Sequence, residues 1–142
     1  MKAQALVGAL MVSASSITLA AAPAYLVQSH SSEAVLDKAG AQAVWQEHLT
    51  AKTSLRLSKL YPLARYGFVS QVEGGFTDNK MCVVTARVML VPRSGKSLIF
   101  DAKKSATTFD TKSDLTQAQC KDLAKAKLGE AITAVMSSLV SN

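Results

Sequence analysis

Met81-Cys82-Val83-Val84-Thr85-Ala86-Arg87-Val88-Met89-Leu90-Val91 is the stretch that decides the fold. Its even positions, Cys82, Val84, Ala86, Val88 and Leu90, are all apolar. Its odd positions mix Val83, Met89 and Val91 with Thr85 and Arg87. A strand sends successive side chains to opposite faces, so the even set forms one continuous apolar face that belongs in a core. Downstream, Pro92-Arg93-Ser94-Gly95-Lys96-Ser97 reads as a turn and Leu98 to Phe109 as the next strand, with Leu98, Phe100 and Ala102 expected to continue the buried face. If Val91 pairs with Leu98, the antiparallel register brings Cys82 beside about Thr107. Upstream, Gly74-Gly75 and Asp78-Asn79 mark a turn. Residues 64–73 alternate, with Ala64, Tyr66, Phe68, Ser70 and Val72 on one side and Arg65, Val69, Gln71 and Glu73 on the other.

Helices flank the strands. Thr116 and Gln119 form a T-x-x-Q capping box with Leu115 before the cap, predicting a helix from Gln117 to about Leu139. Cys120, Ala124, Leu128, Ala131, Ile132, Val135 and Leu139 fall on one stripe of it. Gly129 lies off that stripe and costs up to about 1 kcal/mol relative to Ala. Before the strands, Ala41, Val44, Trp45, His48 and Leu49 share one helical face. Ser31 or Ser32 could cap a helix starting at Glu33, although Gly40 interrupts the pattern. Residues 52–61 fit both periods: Leu55 and Leu57 alternate, while Leu57, Leu60 and Tyr61 continue a helical stripe, and Pro62 ends whichever forms. The expected fold class is α+β in the order α-β-β-β-α, a three-stranded antiparallel meander packed by two helices. It occupies residues 33–142 as a single domain, with 25–32 as a flexible lead-in.

The chain opens on an address. Lys2, the apolar run from Ala3 to Ala20 and the small-x-small site Ala22-Pro23-Ala24 predict a cleavable signal peptide over residues 1–24. Cleavage after Ala22 would put Pro23 at the scissile bond, so Ala24 is the expected site. The 142-residue chain then loses 24 residues and keeps 118, and losing Lys2 lowers its charge from +6 to +5. An uncleaved anchor is the alternative, but Ser13, Ser15, Ser16 and Thr18 dilute the run. No Cys follows it to carry a lipid, and no second run of about 20 apolar residues follows, so no stable membrane insertion is expected after cleavage. The expected location is periplasmic or secreted. An oxidising compartment lets Cys82 and Cys120, the only two cysteines, form a disulfide.

Sixteen Lys and Arg against ten Asp and Glu, 49% apolar residues, 3 Pro and 7 Gly exclude disorder and collagen-like repeats. Catalytic motifs are absent from the pattern. Gly95-Lys96-Ser97 resembles the end of a phosphate loop, but the Gly needed five residues earlier is Leu90, and a strand-like segment follows instead of a helix. There is no C-x-x-C, and neither His30 nor His48 stands at zinc-site spacing from a Cys, so no metal and no cofactor are expected. The carboxylates are scattered, and a general acid/base pair needs two in one cleft. The chain is expected not to be an enzyme; a small hydrolase using His48 is the remaining catalytic alternative.

Two binding surfaces are candidates. Val69, Val83, Thr85, Arg87, Met89 and Ile99 would form an exposed, largely apolar face if both helices cover the Cys82 side. That makes a non-enzymatic adaptor or inhibitor for another envelope or secreted protein the first functional expectation, with a homodimer seam as a variant. Lys52, Arg56, Lys59, Arg93, Lys96 and Lys103 are the second candidate, an anion-binding set for lipopolysaccharide, acidic glycan or nucleic acid. A solvated basic surface that only keeps the protein soluble would use the same residues.

Overall fold

The computed structural model describes residues 24–140. The expected signal peptide lies outside the described residues except for Ala24. The elements are β1 (Leu26–Ser31), α1 (Lys38–His48), α2 (Ala51–Ser58), β2 (Tyr66–Phe76), β3 (Cys82–Ser94), β4 (Ser97–Leu98), β5 (Lys104–Lys112) and α3 (Gln117–Leu139). The fold is mixed α+β, as the sequence predicts, but the described residues form three helices and a five-stranded sheet in place of the expected two helices and three-stranded meander. The long strands run in the order β1-β2-β3-β5, and β4 pairs with the end of β3.

The even face of β3 is the centre of the core. Cys82, Val84, Ala86, Val88 and Leu90 are all fully buried. Ala124, Leu128, Ala131, Ile132 and Val135 of α3 and Ala41, Val44 and Trp45 of α1 belong to the same cluster. Helix α3 starts where the capping box places it, with the Thr116 hydroxyl accepting from Gln119 N and the Gln119 side chain accepting from Thr116 N. The buried hydroxyl of Ser70 accepts a hydrogen bond from the Trp45 indole N–H at 3.0 Å and lies 3.0 Å from the Ser29 hydroxyl. A polar atom in the core is thereby satisfied, which offsets its desolvation.

Three further expectations need correction, and one open reading is resolved. Residues 25–32 are not a loose lead-in: Leu26–Ser31 pairs in parallel with β2, from Leu26 opposite Gly67 to Ser31 opposite Val72. A parallel pair needs a crossover, and α1 and α2 supply it. Tyr25 is buried edge-on against Phe68, and its hydroxyl donates to the Tyr61 carbonyl, which fastens the start of the strand. The first helix begins at Lys38 rather than Glu33, because Asp37 and not Ser31 or Ser32 is its cap, accepting from Gly40 N at 2.7 Å. Residues 51–58 are a helix of their own, capped by Thr50.

The last correction concerns register. Cys82 stands opposite Lys112, not Thr107. Leu98 does end a tight hairpin with β3, but residues 99–103 then leave the ladder before β5 resumes at Lys104. Thr107 accordingly faces Arg87. Leu98 joins Val69, Met89 and Val91 in a small cluster on the opposite face from the main core, while Phe100 and Ala102 are exposed. The Gly95-Lys96 pair is the turn of this hairpin. Gly95 has φ 58°, a value that the first central position of a two-residue hairpin favours and that glycine adopts without strain.

Candidate functional site: the outer face of the sheet

All three helices of the described residues contribute to the core cluster on one side of the sheet, so among the described residues the other side carries no helix. Its composition follows from the odd positions of β2 and β3. At one end, Gly67, Val69, Met89 and Val91 are buried, with Leu98 packed on them. Gly67 makes this approach workable, since a Cβ there would stand 2.5 Å from Leu98 Cδ2. The 97–103 segment therefore lies over this end of the face and brings Phe100 to a ring distance of 6.1 Å from His30 on β1. Of the predicted partner-binding residues, Val69 and Met89 are inaccessible. Their exposure was expected because that expectation left out the chain's own return from the hairpin.

The other end remains open. Gln71, Glu73, Thr85, Arg87 and Thr107 line a shallow depression of about 310 Å³. Arg87 is exposed, and Val83 and Thr85 are half-buried. Phe109 stands opposite Thr85 on this same face and is 61% exposed. Across the face, Ile99 and Phe100 on the returning segment are 49% and 61% exposed. This polar depression around an arginine, with the exposed Phe109 beside it, is the candidate contact surface. Phe109 was missed from the sequence because register alone decides which face of β5 it occupies, and Phe100 because residues 99–103 leave the ladder.

The predicted anion-binding set is split by the structure. Arg93 is committed internally: its Nη1 donates to the Leu63 carbonyl at 3.0 Å and its Nε to the Gly95 carbonyl. Lys103 pairs with Asp101, and that hydrogen bond raises its pKa above the usual lysine value. Lys96 is exposed in the hairpin turn. Lys52, Arg56 and Lys59 are exposed on α2 or at its end, with no ion pair among the described residues. The Arg93 contacts join the hairpin to residues 63–65, the segment that follows α2.

His48 lies at a third place, a groove of about 760 Å³ between α1 and α3 that Glu47, Lys125, Glu130 and Thr133 also line. Its Nδ1 is 3.5 Å from the Thr133 hydroxyl. A Cβ on Gly129 would come within 2.7 Å of its Nε2, so the glycine that looked costly in the helix makes room for this ring. Within α3, the hydrogen bond to Glu130 raises the pKa of Lys127.

Cys82 and Cys120 are bonded, with Cα atoms 5.8 Å apart. The bond ties the first turn of α3 to the start of β3. A structural disulfide points to an exported protein. Among the described residues no helix is long and apolar enough to cross a membrane. No protein-family model matches the chain, and no curated protein matches it. Among solved structures, a protein of Caulobacter crescentus CB15 provisionally described as a lipoprotein is similar at 11% identity, covering 80% of this chain and 86% of its own, with a TM-score of 0.34.

Proposed function

We propose that this is an exported, non-enzymatic binding protein of the adaptor or inhibitor type, and that it contacts another envelope or secreted protein through the open end of the outer sheet face. The observation that carries this reading is the exposed Phe109 on the helix-free side, opposite Thr85 and beside the exposed Arg87–Thr107 pair. An exposed aromatic ring beside a polar depression that holds an arginine suits contact with a protein partner. The disulfide supports export, and the leader pattern of residues 1–24 supports the periplasm or beyond.

The contact surface is displaced from the one the strand pattern suggested. Thr85 and Arg87 stay in it, Val83 lies at its margin, and Ile99 falls on the segment over the covered end. Val69 and Met89 support it from below. The test is capture of partners from envelope extract by the oxidised protein and by an Arg87→Glu/Phe109→Asp variant, at low and high salt. The reading expects one stoichiometric protein that survives high salt and is lost with the variant, while the variant's thermal midpoint is unchanged. Capture that the variant retains would remove the outer face as the site. Self-association abolished by the same variant would identify the face as a homodimer seam.

A further inference from the structure

We infer that α2 is a docking element for an anionic phospholipid surface, independent of the sheet face. The helix is short and amphipathic, and its buried side is narrow: only Ser54 and Leu57 are buried. At 100° per residue these two define the inward direction, and Lys52, Arg56 and Lys59 fall on the opposite, outward side. Leu55 and Leu60 flank that basic stripe and are 67% and 62% exposed, the two most exposed large apolar side chains of the described chain.

The charge on this face is uncompensated. From Leu49 to Val72 the sequence holds no Asp or Glu, and the ion pairs among the described residues involve only Lys103, Lys125 and Lys127. Arg65, exposed just beyond the helix, adds a fourth cation. Cations with leucines at both flanks are the arrangement that an interfacial helix presents to a bilayer: the charges meet the headgroup phosphates and the leucines enter the boundary of the acyl chains. A nucleic acid backbone would use the cations but leave both leucines in water. That asymmetry favours lipid over a generic polyanion. The arrangement is interfacial and involves no spanning segment.

The experiment is co-sedimentation of the exported, oxidised protein with vesicles of phosphatidylglycerol mixed into phosphatidylcholine, and with vesicles of phosphatidylcholine alone. Partitioning should require the anionic lipid and weaken with salt. Each cation removed should lower it roughly fivefold, so Lys52→Gln/Lys59→Gln should lower it about 25-fold. Leu55→Ser/Leu60→Ser should lower it roughly tenfold with the charges intact. All these side chains are exposed, and unchanged circular dichroism and thermal midpoints confirm that the variants fold. Equal binding to neutral vesicles, or no binding to anionic ones, would overturn the proposal. So would a leucine variant that binds vesicles like the parent while duplex DNA is bound as tightly, because the surface would then be a general anion site.

Discussion

The Cys82–Cys120 disulfide joins two residues 38 positions apart, and breaking it is the perturbation whose size is best defined. In the chain-entropy argument a closed loop of that length restricts the unfolded chain by about 4 kcal/mol at 25 °C. Domains are stable by only about 5–15 kcal/mol, so the bond is a large share of the total. For a domain of this size about 4 kcal/mol corresponds to roughly 15 °C in thermal midpoint. Both cysteines are buried, so Cys82→Ala/Cys120→Ala also removes packed sulfur and should cost slightly more. The cleaner comparison is the parent protein oxidised against the same protein held reduced, which keeps every side-chain atom except the cross-link. Urea unfolding followed by Trp45 fluorescence should place the reduced midpoint well below the oxidised one. Hydrogen exchange should quicken first at Gln117–Leu123, the turns the bond ties to β3. Coincident oxidised and reduced midpoints, or two titratable thiols in the native protein, would refute the reasoning.

Other consequences follow from particular contacts. Ser70→Ala leaves the buried Trp45 indole N–H without its acceptor and should cost about 1–3 kcal/mol, measurable by denaturant unfolding. Met89→Glu places a charge under Leu98 and should prevent folding, whereas Arg87→Glu on the same strand should leave the thermal midpoint within a degree or two. Gly129→Ala gains up to about 1 kcal/mol of helix propensity but meets the His48 ring, so a double-mutant cycle should show it at least ~1 kcal/mol more favourable in a His48→Ala background. Burial pushes the Tyr25 phenol up to about 12. The folded state holds that proton more tightly than the unfolded chain, so its stabilising contribution is complete below pH 10 and lost as pH rises towards 12. Tyr25→Phe should flatten the stability curve across that window.

The parts of the fold legible in the sequence were those where one period and one signal agreed. The even positions from Cys82 to Leu90 carry no polar residue, and the Thr116–Gln119 box and the stripe from Cys120 to Leu139 point to one helix. The signals that misled were local ones overruled by tertiary partners. β1 reads as Ser-rich and polar because it is a short edge strand, and the groups that justify Ser29 and Tyr25 lie on Ser70, Phe68 and Tyr61, far along the chain. Leu98-Ile99-Phe100 reads as strand from composition, yet it breaks the ladder after Leu98 so that Leu98 can cover Met89 and Val91. That departure alters the register of β5 and puts Phe109 outside. The candidate site was therefore half visible: Thr85 and Arg87 could be named from alternation, while Phe109 needed the pairing. Lys52, Arg56 and Lys59 were visible as a charge run, but their shared outward face depended on α2 being a helix.

The central claim is that the open end of the outer sheet face meets a protein partner. Its most direct test is a photo-cross-linking side chain introduced at position 109 and, separately, at position 134 on the exposed side of α3, each irradiated in the intact envelope. The account predicts a single discrete protein adduct from position 109 and none from position 134. An adduct from position 134 with none from position 109 would contradict it.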